Sequence, residues 1–122
     1  ANDNILVVLI VETVDAFNNL EQIADVPGID VLFLGPWDMC LSLGLDPLCQ
    51  PHDEIDQVLQ KMIQVSRDRD ASAGAGASSP DDIAGRLDQG VTFISYGPDY
   101  ALLSAAAQAG VNAFRDLDAS KG

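Results

Sequence analysis

The chain has little positive charge. Lys and Arg together number six against 19 Asp and Glu, for a formal net charge of −13. A surface of that sign repels nucleic acid and anionic membrane, so neither is expected as a partner. The acids are spread along the chain rather than gathered in a run, as on a solvated surface. Cysteine is also scarce. Cys40 and Cys49 do not form a CxxC pair, and the one histidine, His52, cannot complete a zinc set with them. They read as reduced thiols of a cytosolic protein, with a disulfide closing the short loop between them as the alternative. Long hydrophobic runs are missing too. The longest, Ile5 to Val11, falls far short of the roughly 20 residues that span a bilayer. It is no signal peptide: no basic stretch precedes it, and Glu12 stands where a small-residue cleavage site belongs.

Apolar residues make up 48% of the sequence, enough to build a core. The length of 122 residues suits one small domain and is too short for a whole (β/α)₈ barrel, which needs about 250. The chain opens on Ala1, not methionine, with a strand expected almost at once, as in a piece of a longer chain. Ile5–Val11 is a β-branched apolar run of the kind found in strands buried on both faces. Thr13–Asp25 follows with Val14, Phe17, Leu20, Ile23 and Ala24 at helical spacing, and Pro27-Gly28 ends it. Val31–Leu34 is a second buried strand, closed by Gly35-Pro36, and Met39–Pro51 reads as a loop.

From Asp53 to about Arg67, Ile55, Val58, Leu59, Met62 and Ile63 form one stripe of a clear helix. Ala71–Ala77 holds only small residues, fit for a linker or for a short strand approached closely by backbone or ligand. Ser79-Pro80 opens the next helix as N-cap and first residue, with Ile83, Ala84 and Leu87 on its buried face and Gly90 as its stop. Val91–Tyr96 is the last strand. A final Ala-rich helix is expected from Asp99 to Ala109, stopped by Gly110, with a polar tail from Asn112. The order β-α-β-α-β-α-β-α implies an α/β fold with a parallel sheet. It fits either a small open sheet or four βα units of a (β/α)₈ barrel.

Parallel α/β folds place their chemistry at the C-terminal ends of the strands. The residues there are Glu12-Thr13, Gly35-Pro36-Trp37-Asp38, Ser78-Ser79 and Gly97-Pro98-Asp99. Glu12 and Asp38 follow consecutive strands, and adjacent strands lie about 4.8 Å apart, close enough for both carboxylates to reach one ion. Such a pair, with the rest of the coordination shell open, suits Mg²⁺ or Mn²⁺ among divalent ions. The competing reading makes them first-turn helix acids that offset the dipole. Against it, Glu12 ends a very apolar strand, where a charge needs a strong partner. Ser78 and Cys40 lack a neighbouring base or cation and are poor nucleophiles, Ser79 is a cap, Asp99 a first-turn acid, and His52 an exposed or capping residue.

The segment V-E-T-V-D-A-F-N-N-L-E-Q-I-A-D-V-P-G-I-D-V-L-F-L-G-P-W-D-M resembles the metal-binding core of the HpcH/HpaI class II aldolases. These carry I-E-T, a helix, then V-x-G-[IV]-D-x-[VI]-F-[IL]-G-P-x-D-L, in a group that takes in macrophomate synthase and citrate lyase β-subunit relatives. The family's Glu and Asp fall on Glu12 and Asp38 with the same separation, and Ser42-Leu43-Gly44 fits the continuation. The match is specific over 5–44 and looser to about Ala109. It implies one partial domain over 1–122, the C-terminal half of a (β/α)₈ barrel holding its fifth to eighth strands. It further implies a lyase in which Mg²⁺ or Mn²⁺ on Glu12 and Asp38 stabilises the enolate of pyruvate or oxaloacetate as a C–C bond breaks or forms. Gly35, Pro36, Trp37 and Asp38 would meet the 2-keto acid, and an aldehyde would be the second partner.

The family's catalytic histidine and arginine lie on earlier strands, so no catalytic base falls within this chain. The fragment alone is expected to be inactive, and to work as a homo-oligomer or with a complementing N-terminal half. Trp37 stands where the family commonly has Ala, Met39 where it has Leu, and the third strand lacks the family's bulky residue. The rival readings are a non-catalytic half barrel and an independent flavodoxin-like domain binding a metal or an anion.

Overall fold

The computed structural model describes residues 4–49 and 51–119. Of the expected polar tail, 120–122 lie outside them. Four strands alternate with helices: β1 Val8–Val11, α1 Val14–Asn18, α2 Leu20–Ala24, β2 Val31–Leu34, α3 Pro36–Leu43, α4 Asp53–Asp68, β3 Ser72–Ala77, α5 Pro80–Gln89, β4 Phe93–Tyr96 and α6 Asp99–Ala119. All neighbouring strands pair in parallel, in the order β1-β2-β3-β4. Sequential parallel pairing is what β-α alternation with short connections enforces.

The core lies between the sheet and α4. Ile55, Val58, Leu59, Met62 and Ile63 are all buried, as their spacing predicts, along with Val65 and Ser66. Leu32, Leu34, Ala73 and Ala75 meet them from β2 and β3. Each fully buried Leu or Met there contributes about 1.5–3 kcal/mol over its exposed state.

The small residues of β3 are explained by their neighbours. Gly74 pairs with Phe33 on one side and Phe93 on the other. The two rings meet edge to face, 6.1 Å between centroids. A Cβ on Gly74 would lie 2.6 Å from Phe33 Cδ2, so glycine makes room for the ring pair. Side chains from the flanking strands thus supply the bulk that β3 lacks.

Several expectations are corrected. The first strand pairs only over Val8–Val11, and Ile5 to Val8 and Ile10 are exposed because β1 has a neighbour on one side only. The helix expected over Thr13–Asp25 breaks at Asn19, whose Nδ2 donates to the Asp15 carbonyl at 2.8 Å and competes for the helical acceptor. The first five residues of the supposed loop Met39–Pro51 are helix: Pro36 serves as first helical residue, and Gly44, at φ +75°, closes α3. On α5, Ile83 is half-buried while Ala84 and Leu87 are exposed, because nothing covers that face. Gly110 does not stop the last helix. α6 runs through it to Ala119, since one interior glycine costs only about 1 kcal/mol in an otherwise favourable sequence. Residues 112–119 are therefore helix, not tail.

Candidate active site

The β1–β2 register sets Val11 opposite Leu34, so Glu12 and Gly35 emerge side by side at the C-terminal ends of their strands. Glu12 is half-buried and folds over Gly35. A Cβ at Gly35 would lie 2.8 Å from both Cβ and Oε2 of Glu12. Only glycine lets this carboxylate rest against the turn that starts α3.

Gly35 is the N-cap of α3, Pro36 its first residue, and Asp38 an exposed acid in its first turn. The first amide bonded back along the helix is that of Met39, which donates to the Gly35 carbonyl at 3.0 Å. The amides of Trp37 and Asp38 precede it and have no intrahelical acceptor. Two hydrogen bonds hold the loop after β1 in place. The Thr13 hydroxyl accepts from the Ala16 amide and caps α1. The Val14 amide donates to Ser42 Oγ at 2.9 Å, tying α1 to α3.

Glu12, Gly35, Pro36, Trp37 and Asp38 therefore stand at one end of the sheet. Among the described residues no cation pairs with either carboxylate, and no group of three or more His, Cys, Asp or Glu gathers as a metal cage. Two hard oxygen donors without a basic partner fit a divalent ion that keeps water or substrate oxygens in its other positions.

Beside them a cleft of about 400 Å³ opens at the ends of β2, β3 and β4, lined among others by Trp37, Ser78, Asp82, Arg86 and Ser95. Trp37, 54% exposed, forms its lip. The sequence reading missed Arg86. Its one signal is the i,i+4 spacing from Asp82, which any solvated helix can show.

The other candidates fall where their chemistry allows. Ser79 caps α5, its hydroxyl accepting from the Asp82 amide at 3.1 Å. Ser78 donates its amide and hydroxyl to Asp82 Oδ2, an arrangement that does not make a nucleophile. Among the described residues neither Cys40 nor Cys49 is in a disulfide. Burial chiefly pushes the Cys40 thiol up, and the hydrogen bond to the Asp46 carboxylate pushes Cys49 up, so neither is an activated nucleophile. The Leu48 amide and the Cys49 thiol in turn hold the Asp46 carboxyl below its usual range. His52 stands at the N-cap of α4 without a side-chain capping bond, and its Nε2 donates to the Asp46 carbonyl at 2.8 Å. Asp99 opens α6 and accepts from the Tyr100 amide.

The four-stranded parallel sheet with helices between its strands defines an α/β protein, and the solved structures it resembles are of the aldolase type. The chain belongs to the HpcH/HpaI aldolase/citrate lyase family, whose model matches residues 1–106. It is 37% identical over 105 residues to a 2-keto-3-deoxy-L-rhamnonate aldolase of Shigella dysenteriae, and 36% identical to one of Escherichia coli. Each match covers 86% of this chain and 39% of the relative, so the chain spans about two fifths of the length of these relatives. A Burkholderia cenocepacia structure of an HpcH/HpaI aldolase/citrate lyase family protein superposes with a TM-score of 0.83 at 26% identity, covering 94% of this chain and 44% of the other. Macrophomate synthase shares the fold, with a TM-score of 0.72 at 24% identity over 93% of this chain and 41% of the other. Among the described residues no helix is long and apolar enough to cross a membrane.

Proposed function

We propose that this chain is the C-terminal half of a (β/α)₈ barrel, a single partial domain, and carries the metal and keto-acid site of a divalent-metal-dependent aldolase or lyase. One observation supports this most directly. The Glu12 carboxylate lies over Gly35, next to the helical turn that bears Asp38, and among the described residues no cation pairs with either group. Glu12 and Asp38 would hold Mg²⁺ or Mn²⁺, which supplies Lewis-acid stabilisation of an enolate when bound.

The chain's own residues do the rest. The unspent amides of Trp37 and Asp38 donate to the substrate carboxylate at the start of α3. Gly35 leaves room for the Glu12 carboxylate beside that turn. The exposed Trp37 ring restricts what extends beyond. The substrate class is a 2-keto acid related to pyruvate or oxaloacetate, with an aldehyde as second product or reactant. The general base and an arginine come from the other half of the barrel, supplied by the rest of a longer chain or by association in a homo-oligomer. Membership of an aldolase and lyase family favours this over a non-catalytic half barrel or a separate flavodoxin-like domain.

The test is Mn²⁺ calorimetry and turnover for Glu12→Gln and Asp38→Asn in a barrel that supplies the remaining strands. Each substitution keeps shape and removes one charge. Each is expected to abolish metal-dependent activity and weaken Mn²⁺ by at least about tenfold, without unfolding the protein. Unchanged Mn²⁺ affinity in either variant removes the basis for the site.

A further inference from the structure

We propose that the cleft at the ends of β3 and β4 binds an anionic group, a carboxylate or a phosphate, with Arg86 as its cation, at the end of the substrate remote from the keto acid. This rests on the aldolase reading for the identity of the substrate, but the anion site stands on its own geometry. Arg86 stands in the second turn of α5. It joins Ser78, Ser95 and Trp37 in lining the cleft.

Its guanidinium is underused. Nη1 donates to Gln89 Oε1 at 3.1 Å. Nε is buried and has no hydrogen-bond partner. The closest carboxylate oxygen, Asp82 Oδ1, is 4.0 Å away, too far for a hydrogen bond. The other oxygen of Asp82 is taken by the Ser78 amide at 2.9 Å and the Ser78 hydroxyl at 3.2 Å. Asp82 thus serves the loop and leaves the cation short of an acceptor. A guanidinium offers five N–H donors in a planar fork matched to carboxylate and phosphate oxygens.

The surroundings suit an anion's oxygens. A Cβ at Gly76 would meet nothing closer than the Ser95 carbonyl at 4.0 Å, so this glycine leaves its part of the cleft open. Among the described residues Arg86 is the one cation lining this cleft, in a chain of net charge −13. The loops after neighbouring strands at this end of parallel barrels often bind phosphate for the same reasons of backbone exposure and shape. The location explains the assignment to the far end of the substrate. Pro36 and Trp37 line the cleft, but Glu12 and Asp38 do not. An occupant starting at the first turn of α3 would therefore reach Arg86 with its other end.

The bland reading makes Arg86 and Asp82 a helix-surface ion pair. The two readings predict opposite signs for one substitution. If Arg86 binds anions, Asp82→Asn removes a competing negative charge and tightens anion binding. If the pair is merely structural, Asp82→Asn loosens α5 and improves nothing.

Trp37 is the only tryptophan and sits in the cleft, so its fluorescence reports occupancy. Malonate and inorganic phosphate are titrated separately into the 122-residue chain, with chloride at matched ionic strength as control. A saturable change with either anion is expected, and the stronger of the two tells carboxylate from phosphate. Arg86→Gln should weaken it at least about tenfold. Arg86→Lys should weaken it less, and Asp82→Asn should strengthen it. Circular dichroism confirms that each variant is folded. No saturable response to either anion overturns the proposal, as does a response that chloride reproduces or that Arg86→Gln leaves intact. No metal or turnover is involved, so Glu12→Gln should lose Mn²⁺ and keep the anion response. A failure of the metal site and a failure of the anion site are thereby told apart.

Discussion

At the scale of single residues, Gly35 bears most directly on the site. Its φ of −92° is open to any residue, so its conformation does not demand glycine; the space does. A methyl there would meet Glu12 Cβ and Oε2 at 2.8 Å and Ile10 Cγ2 at 3.0 Å. The Cβ of Glu12 is fixed by the backbone and cannot swing aside like the end of a long chain. Gly35→Ala should therefore push Glu12 off the turn. The expected outcome is a loss of Mn²⁺ affinity of about tenfold or more, with a stability cost of about 1–3 kcal/mol, typical of overpacking. Calorimetry and urea unfolding measure both, and an alanine variant that binds Mn²⁺ normally would show that Glu12 is not held by this contact. At this scale the sequence was informative where charge meets apolar context. The placement of Glu12 and Asp38 at one end of the sheet was legible, because Glu12 ends an apolar strand and Asp38 follows Gly-Pro. Arg86 was not, because its significance lies in acceptors it fails to find, a property of three-dimensional neighbours.

At the scale of elements, α4 and α6 set the limits of pattern reading. The stripe of α4 coincided with its buried face because both β2 and β3 lie beneath it. The termini of α3 and α6 were misread because Gly and Pro have two meanings each. Gly35-Pro36 can close a turn or open a helix, and Gly110 can stop a helix or sit within it. Only the residues beyond decide, and for α6 those are good helix formers. The helices also differ in support. Leu59 is fully buried, while Leu103 on α6 is 74% exposed. Leu59→Ala should cost about 2–5 kcal/mol, since it leaves a cavity under the sheet. Leu103→Ala should stay within about 0.5 kcal/mol, as exposed substitutions do. Denaturant midpoints of the two variants check this, and equal losses would mean that α6 packs on something in solution.

At the scale of the whole molecule, the sheet has β1 and β4 at its edges, and among the described residues neither has a second strand partner. Ile5, Leu6, Val7, Val8 and Ile10 are exposed along β1, and Tyr100, Leu103, Phe114 and Leu117 along α6. The surface area is 8165 Å². A compact protein of 12.9 kDa should expose about 6,300 Å². The excess, about 1,900 Å², exceeds the roughly 800 Å² that one partner buries in a standard interface. Much of it is apolar and includes an unpaired strand edge, which invites association. Opposing this is a net charge of −13 on each copy. The balance gives a prediction with a sign. The 122-residue chain alone should self-associate and bind a hydrophobic dye. Added salt should strengthen association, because screening weakens repulsion between like-charged copies while leaving apolar contact intact. Sedimentation velocity at low and moderate ionic strength measures it. A monomer at both salts that binds no dye would show that the exposed faces close on themselves in solution, and association that salt weakens would show that ion pairs rather than apolar edges drive it. The same measurement bears on the proposed function, because β1 ends at Val11, next to Glu12, and an unpaired β1 would leave one side of the proposed carboxylate site open. Whatever covers that edge completes the site, so the covering of β1 and the gain of Mn²⁺ affinity should appear together.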